Sequence, residues 1–145
     1  MGAESSHKRA QILYFIAENL DPRRQEFERL LAASTGVSAK AVAKEVEATV
    51  RCLFHHAEMA DKFNGAVHST QSRHVTLAMN EPWGVLGIVC PDTAPLLSLV
   101  SLIAPAVTLG NCVVVVPSEL RPLPATLLYQ VLETSDVPAR ATNLP

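Results

Sequence analysis

Two short polar stretches follow the two most apolar runs of the chain, and they carry the side chains that could do chemistry. Asp92 and Thr93 come after "GVLGIVC", and Ser118 and Glu119 come after "CVVVVP". If both runs are parallel strands, these residues lie at the carboxyl ends of a sheet, where ligands bind and helix amino termini offer amides to anions. The spacing is that of one strand, helix, strand unit, so both stretches could contact one ligand.

Cysteines and histidines do not predict a second kind of site. Cys52, Cys90 and Cys112 are odd in number and lie in apolar contexts, which favours buried side chains in a reducing compartment over disulfides. No Cys-x-x-Cys or His-x-x-x-His spacing occurs in the sequence. The neighbours His55 and His56 should point to different faces of a helix. We therefore predict no metal site.

Charge and composition exclude several classes of partner. Twelve basic and fourteen acidic residues are scattered along the chain and give a net charge of −2, without the basic face that nucleic acid requires. The longest apolar stretch, residues 95–109, is interrupted by Pro105 and is too short to span a bilayer. We predict a cytoplasmic protein with no nucleic-acid or membrane partner. The start "MGAESS" fits the loose myristoylation pattern at Gly2, although such a short pattern often matches by chance.

Three amphipathic helices are predicted before the apolar runs. The first covers residues 8–20, and Asp21-Pro22 ends it and starts the second, with Asp21 as a cap for free amides. The second stops at Gly36. Ser38 can cap a third helix that reaches about Phe63 and whose apolar stripe is Val42, Val46, Val50, Leu53, Ala57 and Ala60.

A polar loop and then a sheet are predicted after these helices. "NGAVHSTQS" is typical of a loop, and "HVTLAM" alternates as a strand does. The two apolar runs are typical of strands buried on both faces of a parallel sheet, joined by an apolar helix over about residues 95–109. A helix over about residues 123–134 follows, and "ATNLP" leads into a third strand. The fold class is therefore α/β.

The predicted sheet has only a few strands, which bears on whether the chain forms a complete domain. Residues 113–116 would form a hydrophobic edge open to pairing with other chains, and a sheet of two or three strands is marginally stable. We therefore expect the chain to be a fragment of a larger domain.

Motifs in the predicted sheet closely resemble those of the aldehyde dehydrogenase superfamily. Its members carry Glu-Pro-x-Gly-Val-x-Gly, then Pro-Trp-Asn-x-Pro, then Gly-Asn-x-Val-Val-x-Lys-Pro-Ser/Ala-Glu. The counterparts here are in register without a gap: Glu81, Pro82, Gly84, Val85, Gly87, Pro91, Pro95, Pro105, Ala106, Gly110, Asn111, Val113, Val114, Pro117, Ser118, Glu119, Pro122 and Leu123. The resemblance covers nearly the whole chain from Lys8 onward.

The resemblance implies how an incomplete domain over residues 1–145 is organised. Residues 8–63 would be the family's amino-terminal helices, and residues 73–79 a strand used for bridging and oligomerisation. Residues 84–145 would begin a Rossmann-like coenzyme-binding sheet.

The chain departs from the family pattern at positions that serve catalysis in the family. Thr93 stands where the family has the Asn whose amide stabilises the oxyanion formed when a cysteine thiolate attacks the aldehyde. Loss of one such donor costs on the order of a hundredfold to a thousandfold in rate. Asp92 stands at the Trp position and places a carboxylate beside the developing negative charge, which opposes the chemistry.

The coenzyme-binding positions are altered as well. The family's Lys reaches the adenosine ribose of NAD or the 2′-phosphate of NADP, and here it is Val116, which offers neither donor nor charge. Glu119 stands where the family's Glu binds ribose hydroxyls. The resemblance therefore implies that Glu119 and Ser118 are the remaining candidates for coenzyme binding. Glu119 could equally cap the helix that follows.

These departures favour one function over two others. The first is a non-catalytic aldehyde dehydrogenase-like protein without a coenzyme, similar to the degenerate second repeat of the two-domain family-16 members. Its partners would be the remainder of its own domain, a second copy of itself, or a tandem repeat. The alternative is part of an active NAD(P)-dependent enzyme that oxidises an aldehyde to a carboxylate, with its nucleophile and base beyond residue 145. A third is a nucleotide-binding module that uses Glu119 without redox chemistry.

Overall fold

Three helices form the amino-terminal part of the chain in the computed structural model, which describes residues 4–63, 65–71, 73–135, 137 and 142–143. Gly2, and with it the myristoylation pattern, lies outside the described residues. The helices are α1 (Ser6–Leu20), α2 (Arg24–Thr35) and α3 (Ala39–Met59), and a 3-10 turn (Asp21–Arg23) joins the first two. The third is shorter than predicted and ends before Phe63.

The ends of these helices follow from local chemistry. The Ser5 hydroxyl accepts a hydrogen bond from the amide of Lys8, and the Ser38 hydroxyl accepts one from the amide of Ala41, as capping residues do. Gly36 ends α2 in the left-handed region, at a φ of 68° that other residues rarely adopt. The predicted cap by Asp21 is wrong, because its carboxylate instead accepts a hydrogen bond from the Arg24 guanidinium at 2.7 Å.

A small antiparallel hairpin follows α3. Its strands are β1 (Ala66–His68) and β2 (Thr76–Ala78), with Ala66 opposite Ala78. Residues 66–68 were expected in a loop, and that prediction was wrong because their pairing partner lies in a separate stretch of the sequence. All six strand residues are exposed, so the hairpin has little contact with the core.

Parallel strands and two helices make up the rest of the structure. In chain order the elements are β3 (Val85–Val89), α4 (Pro95–Thr108), β4 (Cys112–Val116), α5 (Leu123–Glu133) and β5 (Thr142–Asn143). The strands lie in the order β3-β4-β5, and every pairing is parallel. This arrangement confirms the α/β, Rossmann-like class and the third strand predicted from "ATNLP".

The described residues cover the sheet on one face only, so the prediction of strands buried on both faces is wrong. Val113 and Val115 are buried, whereas Val114 and Val116 alternate with them and are exposed. Val85 and Val89 of β3 are also exposed, at 69% and 78%. We call these four exposed valines, Val85, Val89, Val114 and Val116, the open sheet face.

The predicted open edge at residues 113–116 is also corrected by the structure. Strand β4 is central, because β3 pairs along its whole length and β5 pairs with Val113 and Val114. The hydrophobic surface that remains is therefore chiefly a face of the sheet and not the edge of β4.

One hydrophobic core joins the helices to the covered face of the sheet. Helix α3 packs against α1, α2 and α4, and α5 packs against α1, α2 and α4. The core includes the whole predicted stripe of α3, from Val42 to Ala60, together with Leu96, Leu99 and Leu128. The amino-terminal helices therefore hold α4 in place, and α4 in turn fixes the ends of β3 and β4.

Candidate functional site

The carboxyl ends of β3 and β4 lie side by side and bring two of the candidate residues together. The amide of Cys90 donates a hydrogen bond to the carbonyl oxygen of Val116 at 3.0 Å, which continues the strand pairing to its end. Just beyond it, Ser118 Oγ donates to Asp92 Oδ1 at 2.6 Å. Ser118 is 4% exposed, whereas Asp92 is exposed. The Asp92 carboxylate therefore joins the two strand ends.

Arg121 is a third member of this group, and sequence analysis missed it. Its backbone amide donates to Ser118 Oγ at 3.1 Å, and its guanidinium Nη1 donates to the backbone carbonyl oxygen of Asp92 at 3.0 Å. The signal available in the sequence was a basic side chain in the turn after a strand. That signal is weak by itself, because only the folded structure reveals what the side chain contacts. We call Asp92, Ser118 and Arg121 the strand-end clasp.

The other two candidates face solvent beside the clasp. Thr93 is exposed, and its backbone carbonyl accepts a hydrogen bond from Ser98 Oγ at 2.7 Å. Ala94, which follows it, is left-handed with a φ of 46°, a strained conformation for a residue with a side chain. Glu119 is also exposed, and it does not cap α5, whose N-cap residue is Pro122. The capping interpretation of Glu119 is therefore wrong.

The amino terminus of α4 does not offer free amides to a ligand, contrary to expectation. Glu45 of α3 occupies it: Oε1 accepts from the amides of Leu96 and Leu97 at 3.0 and 3.3 Å. Pro95 has no amide hydrogen. An anion belonging to the chain itself thus takes the place where an anionic ligand would bind.

Helix α5 is a poor anion site for a different reason. Pro122 and Pro124 lie at its start and have no amide hydrogen, and the amide of Ala125 already donates to the carbonyl oxygen of Pro122 at 3.1 Å. Neither helix end thus provides the row of free amides on which phosphate binding at helix termini depends.

The motif residues that persist in this chain shape the backbone at the opposite end of the unit. Gly84 and Gly110 have φ values of 111° and 85°, which disfavour any other residue. Asn111 is buried; its Oδ1 accepts from the Gly84 amide at 3.1 Å and its Nδ2 donates to the Ala106 carbonyl oxygen at 3.3 Å. These positions serve the fold and require no ligand.

The cysteines have the surroundings of structural residues. Cys90 is buried and Cys52 and Cys112 are half-buried, so burial of all three was an overestimate. Burial raises the pKa of the Cys52 and Cys90 thiols, which keeps them protonated at neutral pH. A thiolate nucleophile requires the opposite shift.

His55 and His56 are neighbours on α3 whose rings contact each other. Their rings lie edge to face with centroids 5.3 Å apart, and His55 is exposed whereas His56 is half-buried. Burial and the neighbouring His55 lower the pKa of His56.

In the part of the chain that the structure describes, no group of three or more His, Cys, Asp or Glu side chains could hold a metal ion. Among those residues there is also no helix with the length and apolar character needed to cross a membrane.

Comparisons with known proteins give one consistent result. The model of the aldehyde dehydrogenase family matches residues 1–144. An aldehyde dehydrogenase of Agaricus bisporus is 32% identical over 143 residues, which are 97% of this chain and 28% of that protein. Human retinaldehyde dehydrogenase 3 is 31% identical over 94% of this chain and 27% of its own length. The chain thus spans less than a third of these relatives.

Solved structures give the same fold. A betaine aldehyde dehydrogenase of Staphylococcus aureus in complex with NAD⁺ superimposes with a TM-score of 0.95 at 26% identity, over 99% of this chain and 29% of that one. A glyceraldehyde-3-phosphate dehydrogenase of Methanocaldococcus jannaschii complexed with NADP gives 0.93 at 28% identity, over 99% of this chain and 32% of that one.

Proposed function

This chain belongs to the aldehyde dehydrogenase family, and from that premise we propose that it is a non-catalytic member that serves assembly or interaction. The observation that carries the proposal is the strand-end clasp. Asp92, at the position of the family's Trp, uses its carboxylate to bind Ser118, so both residues hold the two strand ends together.

Chemistry at the neighbouring position supports the same conclusion. Thr93 presents a short hydroxyl where the family has an amide, next to a carboxylate whose charge opposes an oxyanion. The raised pKa values of the Cys52 and Cys90 thiols argue against either as a nucleophile. Neither of these thiols is therefore suited to attack an aldehyde, and the amide donor of the family is replaced by a shorter hydroxyl.

The coenzyme positions do not fit NAD(P) in the manner of the family. Val116 supplies no donor, and the Ser118 hydroxyl already donates to Asp92 and accepts from Arg121. The amides at the start of α4 are occupied by Glu45. Glu119 alone is free to accept ribose hydroxyls, which is half of the family's clamp. The proposal therefore includes no coenzyme for this chain.

The assembly role is supported by apolar surface that the described residues leave uncovered. The open sheet face and the exposed hairpin side chains of Val67 and Leu77 resemble surfaces that bind other protein segments. Isolated two-stranded hairpins are marginally stable, so β1 and β2 would gain from a partner. We propose the remainder of an aldehyde dehydrogenase domain, a second copy or a tandem repeat as that partner, in the cytoplasm.

The alternative is that a longer protein carrying this chain is an active NAD(P)-dependent enzyme. Its support is the relatives' names and the NAD⁺ and NADP in the matching structures, which describe those proteins. The native protein assayed with NAD⁺ or NADP⁺ and a panel of aldehydes separates the two. We expect no aldehyde-dependent rise in reduced coenzyme, and sustained turnover would establish the alternative.

A further inference from the structure

We propose that a cleft between the start of α1 and the end of α4 binds a free α-amino acid with a large apolar side chain. This ligand site is additional to the assembly function and does not depend on it.

The cleft runs along the carboxyl-terminal half of α4, away from the strand-end clasp. Its larger part has a volume of about 660 Å³, and apolar side chains such as Trp83 and Leu109 form most of its lining. Its smaller part has a volume of about 210 Å³ and is lined by the charged side chains of Arg9 and Asp61. Phe63 and Leu109 line both parts, so the cleft is continuous. Clefts of this size hold small ligands.

The guanidinium of Arg9 is held in place and keeps free donors. Its Nε donates to the carbonyl oxygen of Thr108 at 2.9 Å, and its Nη1 donates to that of Glu4 at 2.6 Å. These bonds place a cation at the carboxyl end of α4, where it is favourable, but they use two of the five N–H groups. None of the ion pairs among the described residues includes Arg9. A guanidinium fixed in this way is suited to bind the carboxylate of a ligand.

An acidic side chain lines the same part of the cleft. The side chain of Asp61 is 65% exposed, and its Oδ1 lies 3.8 Å from the Lys62 ammonium, which is beyond hydrogen-bond distance. The Asp61 carboxylate can therefore accept hydrogen bonds from the ammonium of a ligand. Two side chains of opposite charge in one part of the cleft match a ligand that carries both charges.

The lining charges favour a zwitterion over a simple anion or cation. A carboxylate without an ammonium would be repelled by Asp61 and by Glu81, which lines the larger part. An amine without a carboxylate would be repelled by Arg9. An α-amino acid carries both groups on one carbon atom. Its apolar side chain would bury surface of Trp83, which is 91% exposed, and of Leu109.

Calorimetric titration of the full chain with L-phenylalanine and its analogues tests the site. We expect phenylalanine to bind about tenfold or more tightly than glycine, phenylpropionate and phenethylamine, which lack the aromatic ring, the ammonium and the carboxylate respectively. Arg9→Gln should weaken phenylalanine by about tenfold without weakening phenethylamine. Asp61→Asn should weaken phenylalanine without weakening phenylpropionate. Arg29→Gln, at an exposed position of α2, is the matched control and should leave binding unchanged.

The test remains decisive if Arg9→Gln perturbs the fold. Asp61 is exposed, so Asp61→Asn removes a charge and no packed group, and the comparison of analogues needs the wild-type chain alone. The proposal would be overturned if the wild-type chain did not bind phenylalanine, or if it bound phenylpropionate or phenethylamine as tightly. Wild-type affinity for phenylalanine in both Arg9→Gln and Asp61→Asn would overturn it as well.

Discussion

At the scale of single residues, one difference from the family changes what the side chain at that position does. Asp92 replaces a family Trp, and its short side chain reaches the buried Ser118 hydroxyl across the strand ends. The hydrogen bond to a carboxylate is short and charge-assisted, so it can stabilise the turn after each strand. The carboxylate that replaces the family's Trp thereby contributes to the fold.

The clasp predicts coupling between its two side chains. Asp92→Ala and Ser118→Ala should each lower the free energy of unfolding, and the double variant should lose about 1 kcal/mol less than the sum, since Asp92 is solvent-exposed. Urea denaturation of the three variants measures this. Asp92→Asn retains an acceptor and should lose less than Asp92→Ala. Additive losses would show that the two side chains are energetically independent.

The surroundings of His56 predict that the stability of the protein depends on pH. Burial and His55 lower the pKa of His56, so the unfolded chain takes up the proton more readily than the folded chain. Stability should therefore fall as the pH drops through about 6.5, the ordinary histidine value. Thermal melts of His56→Gln should show a shallower fall than wild type. His68→Gln, which alters an exposed strand residue, is the control; an equal effect of both variants would contradict the assignment to His56.

At the scale of elements, most boundaries follow from local sequence signals. The apolar stripe of α3 correctly predicted which face of that helix is buried, and Gly36 ends α2 as expected. Both features were predictable because helix periodicity and left-handed glycine caps depend on neighbouring residues alone. Strand β1 was missed because its three residues acquire their structure from β2. The bonds of Glu45 to α4 were also missed, since they join residues about fifty positions apart.

The cap from α3 to α4 is itself testable. Glu45→Ala leaves the amides of Leu96 and Leu97 without their partner and should lower the free energy of unfolding by about 1 kcal/mol, the usual value for a lost cap. Glu45→Gln retains an acceptor but loses the charge that favours a helix amino terminus, so its loss should be smaller. Glu47→Ala, on an exposed position of the same helix, is the matched control. Equal stability of the Glu45 and Glu47 variants in chemical denaturation would refute the cap.

At the scale of the whole molecule, the open sheet face is the main feature that the sequence misrepresented. Continuous valine runs predicted burial on both faces, but the helices among the described residues cover one face only. The candidate site was predicted in part: the positions at the strand ends were right, whereas the clasp and Arg121 depend on side-chain contacts that spacing does not reveal.

The open sheet face predicts self-association when no other partner covers it. Sedimentation velocity of the full chain should show association that increases with concentration, because exposed apolar surface favours contact between copies. Val89→Asp, at a residue that is 78% exposed, should shift the population toward monomer. Thr126→Asp places the same charge on an exposed position of α5 and should not. A wild-type chain that stays monomeric at every concentration would contradict the role assigned to this face.

The central claim is that residues at the strand ends have lost the family's chemistry while the scaffold persists. The most direct measurement is turnover by a chimera in which residues 81–119 of this chain replace the aligned segment of the Agaricus bisporus aldehyde dehydrogenase. We predict a folded chimera whose turnover is lower than the parent's by about a hundredfold or more. Asp92→Trp, Thr93→Asn and Val116→Lys together should restore much of that loss. A chimera as active as its parent would contradict the claim.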